Sequence, residues 1–212
     1  MKLYVSSMQI PTPKDLQKLI GKPFEAISVA LVPNAQDYFS ERARDVNVKR
    51  VATYLESHGM KVDTIDLRNY QDGISLQREL SVHDLLWAMG GNTFCLRYEM
   101  RRSGFDDIIH SLLDGGVVYG GDSAGALVVG VSIAGIESAD EPAYAEEVIT
   151  EGLGLVPYVI LPHVDNPEFK DAVAQVRHIN KNRTDIIEIN DDQAVIFSEA
   201  TGHHIVTGRK GK

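Results

Sequence analysis

Cysteine is nearly absent: Cys95 stands alone among 212 residues. A single thiol excludes an intramolecular disulfide framework and fits a reducing compartment, so a cytoplasmic location is expected. Long apolar runs are missing as well. No stretch approaches the ~20 apolar residues of a membrane-spanning helix. The opening Met-Lys-Leu-Tyr-Val-Ser-Ser is too short in its apolar run for a signal peptide and reads as a strand. Basic excess is absent too: 21 Lys and Arg against 30 Asp and Glu leave a net charge of −9. That balance argues against a nucleic-acid partner held through phosphates. Neither Gly-Lys-Ser/Thr nor Gly-x-Gly-x-x-Gly occurs, so no phosphate cradle is predicted. No His, Cys and Asp set has metal-ligand spacing, so neither metal nor other cofactor is expected. Repeats, linkers and low-complexity segments are lacking, and 1–212 reads as one domain with a substantial core.

What is present is an alternation of strand and helix patterns. Residues 26–32 form an unbroken apolar run, as does 84–89, and such strands are buried on both faces in parallel sheets. Helical spacing covers 11–20, 40–58, 93–102, 105–113 and 166–179, with one or two turns at 75–80. Further strands are predicted at 62–67, 155–161 and 185–189, and 194–198 with 204–207 reads as a closing antiparallel pair. The acidic stretch 137–147 reads as a loop, either a lid or a solvated excursion, and 208–212 as a basic tail. The pattern predicts an α/β three-layer sandwich with a mostly parallel central sheet.

The stretch Val117-Val118-Tyr119-Gly120-Gly121-Asp122-Ser123-Ala124-Gly125-Ala126 carries a Gly-x-Ser-x-Gly segment between a predicted strand and a predicted helix. This is the layout of a nucleophile elbow, which exposes a serine beside backbone N–H groups at a helix N-terminus. Such a serine needs a base, and the base an orienting acid. Of seven histidines, only His163 directly follows an apolar strand at the end where α/β sheets bind ligands. Asp191 and Asp192 occupy the equivalent place after the next strand, so either could be the acid. Histidine before acid is the reverse of the α/β-hydrolase order, which disfavours that fold. Gly90-Gly91-Asn92 is a second glycine turn whose N–H groups could pair with that of Ala124 as an oxyanion hole. Cys95 on the next helix reads as a small buried hydrophobe.

Together, Gly90-Gly91-Asn92-Thr93-Phe94, Gly121-Asp122-Ser123-Ala124-Gly125-Ala126, Pro162-His163 and Asp191-Asp192-Gln193-Ala194 resemble the aspartyl dipeptidase (peptidase E) family of serine peptidases. The match runs from 84 to 197. The resemblance implies a fold like class I glutamine amidotransferases and hydrolysis of small peptides. It implies Ser123 as nucleophile, His163 as base, Asp191 (alternatively Asp192) as acid, and Gly91 with Ala124 as oxyanion hole. The family's acid is commonly a glutamate, one methylene longer. Asn92, Asp122 and Arg177 become candidate substrate contacts. For the arginine that family members pair with an N-terminal aspartate, the stretch 172–180 offers Arg177, not clearly in register, so that preference is not carried over. The acidic 140–147 segment is the alternative holder of a substrate amino group. A small peptide substrate, no nucleic-acid or membrane partner, and a monomer or homodimer are expected. The rival readings are an esterase or isopeptide hydrolase on the same fold, as in cyanophycinase relatives, and a non-catalytic binding module. A glutamine amidotransferase would place cysteine where Ser123 stands.

Overall fold

A computed structural model describes residues 1–208; the expected basic tail beyond Gly208 lies outside the described residues. In chain order the first half runs β1 (Lys2–Ser6), α1 (Pro13–Ile20), β2 (Ser28–Val32), α2 (Glu41–Ser57), β3 (Lys61–Thr64), α3 (Gly73–Leu80), β4 (Leu85–Ala88) and α4 (Thr93–Arg102). It continues with α5 (Phe105–Asp114), β5 (Val118–Asp122), α6 (Ala124–Leu127), β6 (Val159–Leu161), α7 (Lys170–Ile179), β7 (Ile186–Glu188), β8 (Gln193–Ser198) and β9 (Gly202–Thr207).

Seven strands form one sheet in the order β3-β2-β4-β5-β1-β8-β9. The first five are parallel, whereas β8 and β9 run antiparallel. Side-chain alternation divides the core into two layers. Leu3, Val5, Ala30, Val32, Leu86, Ala88 and Tyr119 face α3 to α7. Tyr4, Val29, Leu31, Leu85, Trp87 and Val118 face α1 and α2, which supply Leu16 and Leu55. Three layers result, as expected.

Local signals account for the helix ends. Asp72 caps α3 by accepting from Ser75 N–H, Asn92 caps α4 by accepting from Cys95 N–H, and Gly21 closes α1 in the left-handed region. The start of α2 is held by a partly buried ionic cluster. Arg44 Nε donates to Asp37 at 2.6 Å and its Nη2 to Asp66 at 2.7 Å, while Asn34 Nδ2 donates to both carboxylates.

The strands at the end of 155–161 and within 185–189 do not enter the central sheet. As β6 and β7 they pair only with each other, in parallel. Both sides of β1 are already taken by β5 and β8, so no central position remains for them. Val159 to Leu161 pack instead on the core layer beneath Ala126 to Val129.

Candidate active site

The central parallel strands end together, and three of their ends meet at Ser123. At the close of β5 the chain reverses through Ser123, whose φ of 51° and ψ of −110° are far from the ordinary regions for a residue with a Cβ. The strain lies on the serine, not on the glycines flanking it. Gly125 and Gly121 serve close packing: a Cβ on Gly125 would stand 2.2 Å from the Ala88 carbonyl oxygen, and one on Gly121 would stand 2.9 Å from the Gly125 backbone. Ser123 N–H donates to the Ser6 carbonyl at 3.1 Å, which ties the turn to β1 and removes that donor from the reaction face.

His163 follows β6 and Pro162, also at a positive φ, 62°. Its Nε2 lies 3.0 Å from Ser123 Oγ and its Nδ1 2.6 Å from Asp191 Oδ1. Of the two candidate acids, only Asp191 reaches the imidazole. The Asp192 carboxylate makes no hydrogen bond among the described residues, and its backbone carbonyl accepts from Gly208 N–H. Asp191 is further held by Ser7 Oγ at 2.7 Å and Asn166 Nδ2 at 2.9 Å. Burial pushes its carboxyl up, but the bonds from Ser7, His163 and Asn166 outweigh that and hold it below its ordinary value. Asp191 is therefore ionised at neutral pH and presents an acceptor oxygen to His163 Nδ1. Nε2 faces the Ser123 hydroxyl.

Ser7, Asn166 and Phe169 went unnoticed in the sequence. Ser7 is fully buried; besides donating to Asp191, its Oγ accepts the His163 backbone N–H at 2.8 Å. The Phe169 ring lies parallel to the imidazole at 4.2 Å. No spacing signals these residues, because Ser7 is 156 positions from the histidine it positions.

Gly91 borders the same cavity as Ser123 and His163, and its N–H has no acceptor among the described residues. Ala124 is the first residue of α6, so its N–H has no acceptor within that helix. Gly91 has no room for a side chain, because a Cβ would meet the Ala35 carbonyl oxygen at 2.3 Å.

The other sequence candidates take different roles. Asp122 lies beneath the turn, where Trp87 Nε1 donates to it at 3.1 Å and the N–H groups of Gln9 and Gly90 also serve it. Burial nonetheless raises its carboxyl above the ordinary value. It borders the cavity, but its carboxylate is occupied by protein donors. Asn92 is not at the site: its Oδ1 caps α4 and its Nδ2 donates to the Glu141 carbonyl at 2.9 Å. Arg177 is not there either. It is half-exposed and forks onto Glu188 at 2.6 and 2.7 Å, while its neighbours Val173 and Val176 point inward. Cys95 is buried, which pushes its thiol up to about 12 and leaves it inert as a nucleophile. The 137–147 stretch is a loop with a single 3-10 turn at Pro142–Tyr144.

Gln9, Ser123 and His163 are the non-glycine residues at positive φ among those described, and all three border this one cavity. Backbone strain concentrates where side chains must be held in unfavourable positions for a purpose. Among the described residues no helix is long and apolar enough to cross a membrane.

The model of peptidase family S51 matches residues 6–205. An uncharacterized peptidase of Listeria monocytogenes is 30% identical over 156 residues, covering 73% of this chain and 74% of the relative. A peptidase E of Nostoc is 26% identical over 186 residues, covering 86% of this chain and 69% of the relative. Among solved structures, a candidate peptidase E protein from Listeria monocytogenes superposes with a TM-score of 0.80 at 25% identity, covering 99% and 98% of the two chains.

Proposed function

The chain belongs to peptidase family S51 and is a serine-type peptidase, and on that premise we propose that it cleaves dipeptides and other small peptides through Ser123, His163 and Asp191. The observation that carries this reading is the unbroken chain of contacts from Ser123 Oγ to His163 Nε2 (3.0 Å) and from His163 Nδ1 to Asp191 (2.6 Å). His163 takes the Ser123 proton as the oxygen attacks the scissile carbonyl, and Asp191 stabilises the imidazolium that forms. The N–H groups of Gly91 and Ala124 receive the oxyanion. His163 then passes its proton to the leaving amine. Water repeats the cycle on the acyl-enzyme and releases the acid.

A preference for short peptides is supported by one cation at the cavity rim. Arg50, exposed on α2, borders the cavity that Gly91 also lines and makes no ion pair among the described residues. A free C-terminal carboxylate is the natural partner for such a guanidinium. Incubation with a fluorophosphonate, followed by mass spectrometry, tests the nucleophile. The adduct is expected on Ser123 and is expected to fade in His163→Ala. Peptide hydrolysis in Ser123→Ala should fall on the order of 10⁴–10⁶-fold. Hydrolysis within tenfold of wild type in that variant would refute the mechanism.

A further inference from the structure

A second, narrower cavity opens on the other side of Ser123 and His163, between the end of β6 and α7. Its walls are apolar: Leu127, Ile136, Leu161, Phe169, Val173 and Val176. About 30 Å³ of it is free, against the roughly 10–15 Å³ that admits one water, so it has room for a short alkyl group. Apart from His163, its one charged lining residue is Asp140. That carboxylate is fixed in place. Its Oδ2 accepts both Thr93 N–H at 2.8 Å and Thr93 Oγ1 at 2.6 Å, while its Oδ1 has no hydrogen-bond partner among the described residues. The neighbouring Glu141 carbonyl accepts from Asn92, so two successive residues of the 137–147 loop are clipped to the start of α4. A rigid anion with one oxygen unspent beside an apolar slot is a match for an ammonium group attached to a carbon bearing a small apolar side chain.

We propose that this cavity receives the substrate's N-terminal residue, with its α-ammonium on Asp140 and a small aliphatic side chain against Leu161, Val173 and Val176. The inference rests on the serine-peptidase reading above and adds the substrate class. Acidic first residues are disfavoured, because no lysine or arginine lines the slot and a second carboxylate there would face Asp140. Burial raises the Asp140 carboxyl against the pull of its Thr93 bonds, and an adjacent ammonium favours its charged form.

The test compares kcat/KM for Ala-Leu, Asp-Leu and N-acetyl-Ala-Leu in wild type and in Asp140→Asn. Asparagine keeps an acceptor oxygen for Thr93, so the loop attachment survives. Wild type should favour Ala-Leu over each of the other two at least about tenfold, the scale of one charge-assisted hydrogen bond. In Asp140→Asn the ratio of Ala-Leu to N-acetyl-Ala-Leu should fall close to one. Equal losses on both peptides would show a loop tether only and overturn the proposal, as would wild-type cleavage of Asp-Leu as fast as Ala-Leu. Fluorophosphonate labelling run alongside separates the failures. A labelled Ser123 without the selectivity sinks this inference alone, and an unlabelled wild-type Ser123 sinks the reading beneath it.

Discussion

Replacing Ser7 by alanine removes one oxygen that three groups share. Ser7 Oγ donates to Asp191 at 2.7 Å, accepts the His163 backbone N–H at 2.8 Å, and stands 3.1 Å from His163 Nδ1. In Ser7→Ala that buried N–H has no replacement acceptor, which costs about 1–3 kcal/mol. The lost bond to an ionised carboxylate is of similar size, but the two losses share one oxygen and do not add in full. A net destabilisation of about 2 kcal/mol is the expectation, which lowers Tm by roughly 4–8 °C in a domain of this length. The larger consequence is for His163, whose positive φ is held in part by that N–H bond. An imidazole displaced by a fraction of an ångström lengthens the 3.0 Å contact to Ser123 Oγ, and misplacement on the scale of 1 Å costs about 10²-fold. Differential scanning fluorimetry and the fluorophosphonate labelling rate of Ser123 measure the two effects separately. A Tm within 1 °C of wild type together with an unchanged labelling rate would refute the positioning role. A lowered Tm with an unchanged rate would leave Ser7 as structural only.

Two other perturbations probe the Gly91 turn and the Arg44 cluster. Gly91→Ala drives a methyl group into the Ala35 carbonyl at 2.3 Å and displaces the N–H proposed for the oxyanion, so kcat should fall about 10²–10³-fold with KM little changed; an unchanged kcat would remove Gly91 from that role. For Asp66, burial raises the carboxyl, but the bonds from Arg68 and Asn34 and the Arg44 charge hold it well below the ordinary carboxylate range. A depressed folded pKa contributes stability that is present above the unfolded value near 4 and lost as pH falls through the folded one. Asp66→Asn should therefore be about 2–3 kcal/mol less stable than wild type at pH 7, with the gap closing below about pH 4. Urea titrations at pH 7 and pH 3 measure this, and a gap that stays constant would disprove the linkage.

The strained serine turn was legible because its pattern is written within five residues. Gly121 and Gly125 are required by contacts with Ala88 and with each other, and no other residue type fits them. The helix over 93–102 was legible for the same local reason, and the asparagine that marks its start is spent on capping it. In the fold that capping leaves no free side-chain acceptor on Asn92 for a substrate. Asp191 and Asp192 could not be separated, since neighbours in a tight turn point in unrelated directions and only the folded chain chooses between them. Arg177 was misleading because a change of one position on α7 exchanges the inward face, where Val176 lies, for the outward face that meets Glu188. Ser7 was illegible because a serine at a strand end is ordinary, and its meaning comes from chain segments far away in sequence.

The division into two sheets has a mechanical consequence. Ser123 belongs to the seven-stranded sheet, whereas His163 and Asp191 follow the two strands of the small one. His163 and Asp191 thus travel as one block, and the gap between that block and Ser123 is set where the sheets meet, at Val159 to Leu161 against Ala126 to Val129. Ser7, rooted beside β1, acts as the rivet between the halves. A methylene added or removed along that seam would alter the serine's reactivity from a distance, much as a shim under one jaw changes the bite of a vice.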